Sequence, residues 1–136
     1  MELAVPVRQL DRMKRCRSAL EAMADSARRE DRAGLVKTAF EFHLALVALA
    51  GNRRLEEVYR SLWLQMALCM AVNTRYRESR NETLAENVAR HRLLLEVVES
   101  GDLEHVLVAF EEHGDRAFFE EIIENLAAAD GAPLAG

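Results

Sequence analysis

The sequence predicts an all-α protein: an antiparallel bundle of about five to six helices. Three observations carry this. Ala, Leu, Glu and Arg dominate and are good helix formers; the 136 residues contain only two prolines and six glycines; and the apolar residues recur at helical spacing between a few clear stop signals. Half the residues are hydrophobic and 30% charged, which suits one compact domain with one core. That domain is expected over residues 1–128, followed by a flexible tail over 129–136.

The first helix is expected from Val7 to Ala27, with Leu10, Met13, Leu20 and Met23 on its inner side, ending in the charged "SARRED". Asp31 can cap the second, which is apolar from Phe42 to Ala50 and stops at Gly51, a natural residue just past a helix end. Such a helix belongs at the centre. The third starts near Arg53, carries Leu55, Val58, Tyr59, Leu62, Trp63, Met66 and Met70 as a core stripe, and runs into "NTRYRESRN". Ser79 and Glu82 have the spacing of a capping box and are expected to start the fourth, whose inner face is Leu84, Val88, His91, Leu95 and Val98. In "SGD", Gly101 ends that helix and Asp102 caps the fifth, which makes the two antiparallel neighbours. The fifth carries Leu103, Val106, Leu107, Phe110, His113 and Ala117 on one stripe.

A net charge of -5 and a pI near 5.4 argue against direct nucleic-acid binding, which needs a clustered basic surface. Arg75, Arg77 and Arg80 read as a solvated turn. Cys16 and Cys69 have no C-x-x-C spacing and read as buried thiols of a reducing compartment, hence the cytoplasm. The N-terminus has no signal-peptide pattern, and the longest apolar run, the eleven residues Leu62 to Val72, is too short to span a bilayer.

Three of the four histidines, His43, His91 and His113, fall on apolar stripes of three different helices, while His105 sits among charges and is expected to be exposed. Two readings follow. Each buried imidazole has its own partner, since an unbonded one costs on the order of 1 to 3 kcal/mol, or one shared metal satisfies all three. Helix-bundle interiors build such sites from inward side chains, and imidazole suits Zn, Ni, Cu or Fe.

The stretches "FHLALVALAGN" and "HRLLLEVVESGDLEHVLVAFEEH", whose outer histidines are 22 apart (113 − 91), together with the preceding "QLDRMKRCRSALEAM", resemble the FCD domain, the helical effector-binding domain of FadR-type GntR transcriptional regulators. The resemblance covers about Gln9 to Leu126. It implies a bundle with a central ligand cavity that senses a small metabolite, often a carboxylate, in many members with a divalent metal on one Asp and three His. By position, His43, His91 and His113 would be the histidine ligands, of zinc or nickel, and the Asp would stand at 39.

Here that residue is Ala39, so the family's anionic ligand is missing, and Glu41 faces another side of the helix. Either a three-histidine metal site keeps an extra exchangeable position, or the histidines meet an organic ligand directly. The sequence also shows nothing resembling the winged helix of FadR-type regulators. The expected function is small-molecule binding in a transcriptional regulator, with no membrane and no nucleic acid touched by this chain itself. The alternatives are an enzyme, a lyase, isomerase or cyclase, that uses the histidines as acid, base or ligands, and an interaction module that homodimerises through a helix face.

Overall fold

The computed structural model describes residues 5–113, 123–124, 126–128 and 131. Among the described residues the chain is helical and forms no strand. Up to His113 the helices follow in the order α1 (Val5–Arg28), α2 (Arg32–Ala48), α3 (Arg53–Ser61), α4 (Trp63–Ser79), α5 (Leu84–Ser100) and α6 (Leu103–His113). The expected tail lies outside the described residues apart from residue 131, as does Ala117. No helix among the described residues is long and apolar enough to cross a membrane.

The punctuation acts largely as its chemistry dictates. Asp31 caps α2 by accepting from the Gly34 N–H at 2.9 Å, and Asn52 caps α3 by accepting from the Leu55 N–H at 3.2 Å. Gly51 and Gly101 take φ of 68° and 74°, the left-handed turn that glycine makes without a Cβ penalty.

Two boundaries differ from expectation. The stripe from Leu55 to Met70 is two helices, broken at Leu62, whose N–H reaches back to the Tyr59 carbonyl at 3.1 Å in a tightened last turn. The capping box belongs to Thr83 and Glu86, not Ser79 and Glu82. Thr83 Oγ1 accepts from the Glu86 N–H at 3.1 Å, and Glu86 Oε2 accepts from the Thr83 N–H at 2.7 Å. Asn81, at φ 69°, ends the preceding chain direction two residues earlier.

α2 is the central element and packs on α1, α3 and α4, while α5 packs on α1 and α6. The core joins α1, α2 and α5 through Cys16, Leu20, Met23, Leu35, Phe42 and Leu95. α3, α4 and α6 sit outside it, which overturns part of the expected burial. Leu10, Leu55, Val58, Leu62, Leu103, Leu107 and Phe110 are exposed. Cys69, expected buried, is exposed because α4 presents only one side to α2; Cys16 is buried, and both are free thiols. Arg77 is no solvated turn residue: it is half-buried on the last turns of α4 and donates to Glu82 at 3.1 Å.

Candidate functional site

Three helices deliver the histidines to one point. His43 comes from α2, one turn after Ala39. His91 and His113 lie at similar distances from the Gly101 turn, ten residues before it (101 − 91) and twelve after it (113 − 101), so the antiparallel α5–α6 pair brings them level. Their ring centroids are 4.5 Å apart, and those of His43 lie 5.3 Å from His91 and 5.2 Å from His113. One ring nitrogen of each lies within 4.8 Å of the others. His91 is buried and its companions are half-buried; His105 is exposed and pairs with Asp102 at 3.1 Å. Ala39 is buried at 7% exposure.

Hydrogen bonds fix the ring protons. A backbone carbonyl only accepts, so His91 Nδ1, 2.7 Å from the Asn87 carbonyl, carries the proton, leaving a lone pair on Nε2. A guanidinium only donates, so His113 Nδ1, 3.3 Å from Arg90 Nη1, is the acceptor. The neutral His113 ring then has its proton on Nε2 and donates it across 3.0 Å to His43 Nε2. The phenyl ring of Phe42, edge-on to His91 at 5.5 Å, walls the cluster from the core side.

All three rings are held neutral. Burial, first, and the Arg90 charge push His43 down to about 4. Burial, His43 and the Arg90 and Arg77 charges push His113 down to about 3. His91 is lowered well below its ordinary value by burial and by both other histidines. Neutral imidazoles are the metal-binding form.

The donor set suits a divalent cation in number and kind, three imidazole nitrogens within 4.8 Å of one another. Zinc–nitrogen bonds of about 2.0–2.1 Å put two tetrahedral ligands about 3.3 Å apart, close to the separation of the facing Nε2 atoms of His43 and His113. His91 also has the outer-shell bond of a metal-ligating histidine, its second ring N–H donating to a carbonyl. His113 fits only if its proton moves from Nε2 to Nδ1, and Arg90 then has to release that nitrogen. Arg90 has a second partner ready in Glu82, 3.4 Å from Nη2. No Asp or Glu joins the group among the described residues.

A cleft opens beside the cluster, with a volume of about 300 Å³, lined by His43, Leu46, Val47, Tyr59, Phe110 and His113.

The FCD domain family model matches residues 1–116. This chain is an FCD domain. As such it is an effector-binding domain of the GntR regulatory type. Comparisons with curated proteins and with solved structures give no match. His43, His91 and His113, predicted from the sequence, converge, and Ala39, one turn before His43, offers no donor atom. Arg90 escaped the sequence reading because a residue next to an inward histidine points about 100° away on the helix; its half-buried charge is the only signal, and burial is not readable from one sequence.

Proposed function

We propose that this FCD domain binds a small carboxylate effector at His43, His91 and His113, with zinc or nickel held by the three imidazoles and Ala39 leaving an open position. The observation that carries the reading is the convergence of three neutral rings from three helices, one nitrogen of each within 4.8 Å of the others. A bound cation would supply Lewis-acid attraction for a carboxylate. Three neutral ligands leave its double positive charge uncompensated, and Arg90 and Arg77 add to that field, so an anion is the ligand that balances the site. The role of the chain's own residues is binding: the histidines hold the head group, Asn87 orients His91 and Glu82 anchors Arg90. Effector binding would alter the packing of α6 on α5 and its His113 contact with His43 of α2, and thereby a DNA-binding partner in the cytoplasm.

Ala39 and the Arg90 contact to His113 Nδ1 favour a second form of the same reading, in which the carboxylate meets the histidines without metal. Zinc calorimetry on the chelator-treated chain decides between them: stoichiometric uptake that disappears in His91→Ala supports the metal form, and no uptake supports the metal-free form. If His91→Ala loses stability while the binding of acetate and zinc is unchanged, the histidines are only structural and the proposal fails.

A further inference from the structure

The cleft beside the histidines constrains the rest of the ligand. Its lining combines polar groups, His43, His113 and the Tyr59 hydroxyl, with the apolar side chains of Leu46 and Val47 of α2 and Phe110 of α6. Tyr59 of α3 lines the cleft as well, and its aromatic ring is held in place. That ring is stacked on Phe40 at 5.3 Å and 17°, and Phe40 is set edge-on against Trp63 at 4.5 Å, so the wall is braced rather than loose. Phe110 is 42% exposed, an aromatic surface at the cleft that an apolar body would cover. At about 300 Å³ the space is at the lower end for ligand pockets, enough for one ring or a short branched chain.

We infer that the effector is a monocarboxylate with an apolar body, aromatic or branched aliphatic, its head group at the histidines and its body between Val47, Tyr59 and Phe110. The inference rests on the anion site proposed above. A polyhydroxy acid or a dicarboxylate of the same length would push several hydroxyls or a second charge against Leu46, Val47 and Phe110, whose side chains have no polar atom to replace lost water, with only the Tyr59 hydroxyl beside them. An apolar body gains from the same contacts.

Calorimetry on the whole chain, with and without zinc, tests this with phenylacetate, 4-methylpentanoate, gluconate and succinate as probes. The two apolar acids are expected to bind at least tenfold tighter than the other two. Val47→Asn and Phe110→Ser, both at partly exposed positions, are each expected to remove that advantage while the helical circular dichroism and zinc behaviour of the chain stay unchanged. Equal or tighter binding of gluconate or succinate overturns the inference and leaves the proposed function standing, as does an advantage that persists in both variants. An apolar preference that survives His91→Ala supports the cleft and sinks the histidine head-group site. Binding of none of the four overturns the inference.

Discussion

His43 and His113 are 70 residues apart in sequence, yet their Nε2 atoms face each other at 3.0 Å. Two identical atoms at that distance share one proton or one cation. The arrangement therefore depends on what holds the outer nitrogens, and at His113 that is Arg90.

Acid is expected to unfold this domain through these rings. An unfolded histidine takes up a proton near pH 6.5, whereas in the fold His43 does so at about 4 and His113 at about 3. Between those values the unfolded chain binds more protons, so stability falls as pH falls, by about 1.4 kcal/mol per pH unit for each histidine kept neutral. Above pH 6.5 these rings are neutral in both states and contribute no slope. Urea unfolding at pH 7.5, 6.0 and 5.0 measures it; His43→Gln is expected to flatten the dependence, and an equal slope in that variant would count against a buried neutral His43.

The start of α5 is a second point of test. Thr83→Ala is expected to cost about 1 kcal/mol, the usual loss of an N-cap, because the Glu86 N–H loses its acceptor. Ser79→Ala, at the alternative box, is expected to cost less than half as much. Denaturant midpoints for the two variants check the order, and a larger loss at Ser79 would move the helix start.

Much of this was legible in the sequence, for definite reasons. The inward histidines of α2 and α5 could be found because the side chains four apart share a face, and the stops at Gly51 and Gly101 because a left-handed residue has few candidates. The Ser79 and Thr83 boxes fit one pattern equally; Asn81, suited to the left-handed turn, separates them only once that turn is seen. The break at Leu62 has no proline or glycine to announce it. Periodicity marked Leu103, Leu107 and Leu55 as apolar-face residues, but it does not state whether another helix covers that face. Among the described residues α6 has sizeable contacts with α5 alone, so its stripe stays exposed.

Arg90 is expected to oppose metal uptake. Its N–H on His113 Nδ1 keeps the ring in the tautomer whose Nε2 is protonated, and its charge disfavours a cation. Arg90→Gln removes the charge and the N–H that holds Nδ1, so Nδ1 can carry the ring proton and leave Nε2 free to ligate. Zinc affinity is expected to rise about tenfold or more, within the range outer-shell changes produce. Calorimetry checks this, and a fall in zinc affinity would mean that Arg90 supports the site by holding α5 and α6 together.

Ala39 offers the sharpest test. It lies one turn before His43 on α2 and is buried, so a carboxylate placed there shares the face of His43. Ala39→Asp supplies a fourth protein ligand and a compensating negative charge, and zinc affinity is expected to rise by at least tenfold. The gain should vanish with His91→Ala in the same chain, and it should shrink as the pH falls towards 4, where His43 protonates. Without zinc the same variant should be less stable than the parent, because a carboxylate at a buried position lacks its partner; added zinc should restore the loss by mass action. A destabilised variant that zinc neither binds more tightly nor rescues would remove the metal from this site and leave the three rings and Arg90 to meet a carboxylate directly.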